Sequence, residues 1–142
     1  MTSKKALLCI ICAALGATLS SCKLEDDTVA FHFVNLQIVS AELPESFDLY
    51  DTYQVKVTYI RPNNCTFFEG FDISKAGATT RNVVAYGSEL DHAECAEIAA
   101  EVEEYFLFTC NYNYTYTFRF WAGEDENGEA EFIEYEVPVN PE

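Results

Sequence analysis

Tyr114-Thr115-Tyr116-Thr117-Phe118-Arg119-Phe120-Trp121 is the stretch that decides the fold class. Rings recur at every second position, and a strand sends successive side chains to opposite faces. Extended backbone therefore gives Tyr114, Tyr116, Phe118 and Phe120 one continuous inward face. Thr115, Thr117, Arg119 and Trp121 line the other. A helix would spread the same rings around its whole circumference and leave no polar side.

The same period runs outward in both directions. Downstream, Ile133, Tyr135, Val137 and Val139 alternate with Phe132, Glu134 and Glu136, and Asn127-Gly128 between the two runs is a strong hairpin signal. Upstream, Tyr53, Val55, Val57 and Tyr59 alternate with Gln54, Lys56 and Thr58. Residues 31–40 read as a first strand whose phase changes near Asn35, the mark of a bulge or of a switch between sheets. Residues 65–73 read as a strand with Phe67, Phe71 and Ile73 on one face, and residues 81–86 as a shorter one. Residues 61–64, Arg-Pro-Asn-Asn, are expected to turn. Residues 92–104 are ambiguous: their Ala and Glu content favours helix, and Glu97, Glu101 and Glu104 can share a solvated face. They are read as a loop or single helical turn leading into a strand at 105–109.

About seven short strands separated by turns predict an all-β, immunoglobulin-like antiparallel β-sandwich. Tyr116 stands where such folds place a corner tyrosine. The usual inter-sheet cysteine pair is missing from the corresponding strands, so Phe118 is expected to fill that space by packing. The domain is expected to span residues 30–142, with no internal repeat.

Composition narrows the class. The chain has 142 residues and a formal charge of −16, and 15% of its residues are aromatic. So negative a field opposes nucleic acid, whose phosphates need clustered Lys and Arg. The ring content argues against a disordered acidic chain.

At the amino end, Lys4 and Lys5 precede an apolar run too short to cross a bilayer core comfortably. Leu19-Ser20-Ser21-Cys22 closes that run and resembles a bacterial lipobox. The resemblance implies a lipoprotein signal peptide at 1–21, acylation of Cys22 and a membrane partner through that lipid. Residues 22–29 form an acidic tether. Lys23-Leu-Glu-Asp-Asp-Thr28 resembles the signal that sends Bacteroidetes lipoproteins outward, implying an outer-membrane protein exposed at the surface. Loss of the leader removes two lysines and no acids, making the mature chain more negative still. Of the six cysteines, Cys9 and Cys12 leave with the leader and Cys22 takes lipid. Cys65, Cys95 and Cys110 remain, enough for one bridge and one thiol. Cys65–Cys95 is the favoured bridge, because Cys110 follows a strongly patterned strand and falls at its end.

Arg61-Pro62, Cys65, Phe68, Gly70, Cys95, Tyr116-Thr-Phe-Arg-Phe-Trp121 and Gly123-Glu-Asp-Glu-Asn-Gly128 together resemble small uncharacterised Ig-like lipoproteins of Flavobacteria and other Bacteroidetes. The resemblance covers most of the mature domain. It implies the Cys65–Cys95 pair and leaves Cys110 as an extra cysteine.

Chemistry-bearing patterns are sparse. Setting Gly128 at the sixth position of a calcium loop brings Asp125, Asn127, Glu129 and Glu134 near ligand positions. Gly123 then occupies the first, where a carboxylate is required, so a solvated turn is expected. His32 and His92 lack a neighbouring ligand pattern, and no C-x-x-C pair remains, so no metal or other cofactor is expected. No Gly-x-Ser-x-Gly elbow occurs, and the chain is not expected to be an enzyme. Arg119 is expected to pair across strands with Glu134 or Glu136. Arg119 and, beside it, Trp121 are the candidates for ligand contact, Trp121 by stacking. The expected function is a lipid-anchored Ig-like binding or structural module. The alternatives are capture of a glycan or protein through Trp121 and loop aromatics, and an extracellular hydrolase or protease inhibitor.

Overall fold

The computed structural model describes residues 28–91 and 94–141. The expected signal peptide, Cys22, nearly all of the expected tether, and His92 lie outside the described residues. Within them the chain is all-β: β1 (Phe31–Leu36), β2 (Ile38–Glu42), β3 (Thr52–Asn63), β4 (Thr66–Lys75), β5 (Thr80–Leu90), β6 (Glu97–Thr109), β7 (Tyr116–Glu124) and β8 (Ala130–Val137). β2, β3 and β6 form a three-stranded sheet, and β1, β4, β5, β7 and β8 a five-stranded one.

The first run of sequence switches sheets where its phase changes. β1 pairs with β5, and two residues later β2 pairs with β3. The two sheets meet over an interior of rings and branched aliphatics. Val55 and Val57 of β3, Val83 and Ala85 of β5, and Tyr116, Phe118 and Phe120 of β7 are all shut from solvent. Phe47, from the β2–β3 connection, is wedged among Tyr53, Phe108, Tyr116 and Phe118, with ring centroids 4.8–6.1 Å apart. Tilted and edge-to-face rings suit the aromatic quadrupole and contribute beyond the area they bury.

Five expectations are corrected. β6 begins at Glu97, so residues 97–104 are strand rather than loop or helical turn. Eleven residues of β6 find partners on β3, and that ladder outweighs the local preference of Ala and Glu. Ala99, at φ 45°, sits where the β3–β6 register slips. Pro62 lies inside β3 at that same irregularity, where its missing N–H does no harm, so the turn comes later, at Asn64-Cys65. On β4 the register shifts between Phe68 and Gly70, turning Phe67 outward and Phe68 inward onto Tyr59. Tyr114 precedes β7 and is 68% exposed, so the inward face begins at Tyr116. Finally, one neighbour pair is not antiparallel: Thr80 to Val83 of β5 run parallel to Thr117 to Phe120 of β7.

The hairpin after Trp121 forms, but as a wider loop than a two-residue Asn-Gly turn. Asp125 organises it: one carboxylate oxygen accepts the N–H groups of Asn127 and Glu129 at 2.8 and 2.9 Å. Those bonds hold its carboxyl below the usual aspartate range. Gly128 supplies the left-handed residue, at φ 79°.

Cys65 and Cys95 are joined in a disulfide, with Cα atoms 5.6 Å apart. The bridge clamps the β3–β4 turn to the segment entering β6. Beside it, Glu89 accepts a 2.9 Å hydrogen bond from the Asn63 amide. The Thr66 hydroxyl stands 2.9 Å from the same oxygen. These two contacts, Asn63 first, lower the Glu89 carboxyl below its ordinary value.

Candidate functional site

The outer face of the five-stranded sheet carries the feature most like a site. β1 sends Phe31, Phe33 and Asn35 outward, because Val34 and Leu36 are taken by the core. On β5 the inward residues are Val83 and Ala85, which leaves Val84 and Tyr86 outside. Strand pairing sets Asn35 opposite Tyr86 and Val84 opposite Asp72. Phe31 and Phe33 meet edge to face at 5.6 Å, and Phe33 meets Tyr86 at 6.2 Å. Phe33 is 66% exposed, so these rings are solvated rather than part of the core.

The three strands enclose an open hollow of about 560 Å³ lined by Phe33, Asn35, Phe71, Asp72, Val84 and Tyr86. Its shape depends on the irregularity in β4. The slip at Phe68/Gly70 lets Phe71 turn inward onto Phe106, at 5.3 Å, and turns Asp72 out. Glu69, inside the slip, accepts a 2.6 Å hydrogen bond from Ser88. Gly70 lies under the Tyr86 side chain: a Cβ at that position would lie 3.2 Å from the Tyr86 hydroxyl, so the ring would have to shift by a few tenths of an ångström to admit one. Bulges of this kind re-aim side chains next to functional sites. No Lys or Arg lines the hollow.

Arg119 and Trp121 lie on the same outer face, away from that lining. Arg119 donates from Nε to Glu134 at 2.8 Å, as the strand pairing predicts, and its guanidinium lies 4.4 Å from the Phe132 ring centroid. Both its charge and its flat face are therefore engaged. Trp121 is half-buried opposite Phe132, where the β7–β8 register shifts. Neighbouring Asn82 has a side-chain oxygen shut from solvent and without a hydrogen-bond partner in the described structure.

A second aromatic group caps one end of the sandwich. Tyr50, Tyr112 and Tyr114 are exposed on two loops tied together by Tyr50 N–H to Cys110 O, at 2.7 Å. Tyr50 holds φ 70°, an uncommon conformation for a residue other than glycine. Tyr116 fixes the second loop, its hydroxyl accepting the N–H groups of Asn111 and Tyr112, each at 3.1 Å. Cys110 lies beneath, fully buried, with burial raising its thiol above the ordinary value. A reactive cysteine needs the opposite environment.

Among the described residues no group of His, Cys, Asp or Glu could hold a metal ion. His32 pairs with Asp91 at 2.7 Å on the surface. Sequence reasoning selected Trp121 for its chemistry and missed Phe33, Asn35, Asp72 and Tyr86. Their juxtaposition arises from three strands distant in sequence, and the only local sign was Gly70 within an aromatic run. The chain matches no protein-family model, no curated protein and no solved structure.

Proposed function

We propose that this protein is a non-catalytic binding module with an immunoglobulin-like sandwich, held at the outer membrane by lipid on Cys22 and displayed at the cell surface. Recognition falls to the outer face of its five-stranded sheet. One observation carries the reading: Phe31, Phe33 and Tyr86 meet in the open on that face, beside a hollow. Solvated aromatic clusters beside a concavity are a feature of binding sites more than of inert surfaces.

The Tyr116 corner, bonding back to Asn111 and Tyr112, supports the immunoglobulin-like assignment. The parallel β5–β7 pair makes it a variant, since such folds place an antiparallel neighbour beside the corresponding strand. The anchor suits the fold's polarity. β1 leaves from the disulfide end, where Ala30 O accepts from Asp91 N and Cys65 O from Leu90 N. A tether of residues 22–29 reaches about 25–30 Å at most, so that end would face the membrane.

Tyr50, Tyr112 and Tyr114 then cap the opposite end, which favours a second reading: protein capture through the distal loops. Tyrosine gives rigid amphipathic contact area at low entropic cost, as in antibody loops. Fractionation tests the anchor: wild type is expected with outer membranes and Cys22→Ser soluble in the periplasm. Membrane retention of Cys22→Ser would contradict it. Surface biotinylation of a single cysteine placed at Asn35 tests the binding face. Labelling on intact cells is expected, and labelling only after lysis would refute display.

A further inference from the structure

We infer that the hollow between β1, β5 and β4 binds a neutral saccharide, with Phe33 and Tyr86 stacking on the sugar and Asn35 and Asp72 holding its hydroxyls. This rests on the binding-module reading and adds to it the class of ligand. The lining sorts the candidates. Its rings present apolar surface that the C–H face of a pyranose can cover. Asn35 offers both a donor and an acceptor and Asp72 acceptors, which suits vicinal hydroxyls, each of which donates and accepts.

Other ligands fit less well. An anion would meet Asp72 and no compensating cation, within a chain of charge −16. A wholly apolar partner would cover Asn35 and Asp72 and leave both without hydrogen-bond partners, an unfavourable exchange for an amide and more so for a carboxylate. An added peptide strand needs a sheet edge, whereas the hollow lies on a face. A quaternary ammonium needs rings spaced around it. Phe33 and Tyr86 instead touch each other edge to face, with centroids 6.2 Å apart. The hollow's volume of about 560 Å³ falls within the range of small-ligand sites. Gly70 leaves room for the Tyr86 ring to lie low across β4.

The test uses isotope-labelled full-length protein titrated with neutral hexasaccharides (cellohexaose, maltohexaose and a β-1,3-linked glucose hexamer) and separately with tetramethylammonium. At least one hexasaccharide should shift the amide resonances of residues 33, 35, 72 and 86. Phe33→Ala should weaken that binding about tenfold, the loss of one ring stack. Leu107→Ala, on the opposite face, should leave it unchanged. Binding undiminished in Phe33→Ala, binding of the ammonium alone, or no saccharide shift would each overturn the assignment. A photo-crosslinking residue at position 35, used on intact cells, separates the two failures. An adduct without saccharide binding would sink the ligand class and spare the binding face, and no adduct and no shift would sink both.

Discussion

The two sheets share one interior but present different exteriors. On the three-stranded sheet, Lys56 lies between Glu42 and Glu103, and Thr52 bonds Thr109 across the strands at 2.9 Å. Its exposed large apolar residues, Ile98, Tyr105 and Leu107, all lie on β6. On the five-stranded sheet, Phe31, Phe33 and Tyr86 meet in a row beside a concavity, and Asp72 is turned toward it by a register slip. A surface needed only for solubility can resemble the first. The second keeps rings in water next to a shape, and the core does not require it to, because Val34, Leu36, Val83 and Ala85 already fill the inner side.

That contrast holds only if the interior belongs equally to both sheets. Phe118 tests it most severely, since its ring touches Phe47, Phe108, Tyr116 and Phe120. Phe118→Ala should cost about 3–5 kcal/mol in chemical denaturation and weaken amide protection in both sheets. Loss confined to β7 and β8 would mean the sheets are separately stable.

Removing the bridge with Cys65→Ser/Cys95→Ser should cost roughly 3–4 kcal/mol, from the loop it closes. Its structural effect should stay at the disulfide end, with faster exchange at Asn64 and Glu97 and an unchanged environment around Phe33. Tyr116→Phe comes next, at about 1–3 kcal/mol, because the N–H groups of Asn111 and Tyr112 lose their acceptor. Looser loops at Tyr112 and Tyr114 with no change in the hollow would separate the two aromatic regions.

The pH dependence is smaller. The folded-state value of Glu89 is lowered by the bonds from Asn63 and Thr66, so its contribution is complete above the ordinary glutamate value of 4.5. It fades as the pH falls from there through the lowered value, because the unfolded chain takes up its proton first. Glu89→Gln should flatten the stability–pH curve in that window, and an unchanged curve would show that other carboxylates set it.

Much of this architecture could be read from spacing alone. The inward rows on β3, β7 and β8 follow strict alternation, and the Arg119–Glu134 pair follows from facing strands. The Cys65–Cys95 bridge agrees with setting Cys110 aside as a strand-end residue. What stayed hidden depended on partners. Residues 97–104 are extended because β3 lies beside them, and Glu104 interrupts the inward face that would have revealed the period. The β4 slip reverses the faces of Phe67 and Phe68 within two residues, and a fixed period cannot anticipate an inserted residue. The parallel β5–β7 pair joins strands separated by all of β6. The hollow could not be seen for the same reason: Asn35, Asp72 and Tyr86 become neighbours only after β1, β4 and β5 have assembled.

The most direct test of the central claim, that the five-stranded sheet's outer rings serve recognition and not folding, is urea denaturation of Phe31→Ser/Phe33→Ser beside Phe118→Ala. The double variant should lose no more than about 2 kcal/mol, the sum of two cross-strand contacts, well short of the core variant. A loss equal to that of Phe118→Ala would make those rings part of the core and contradict the account.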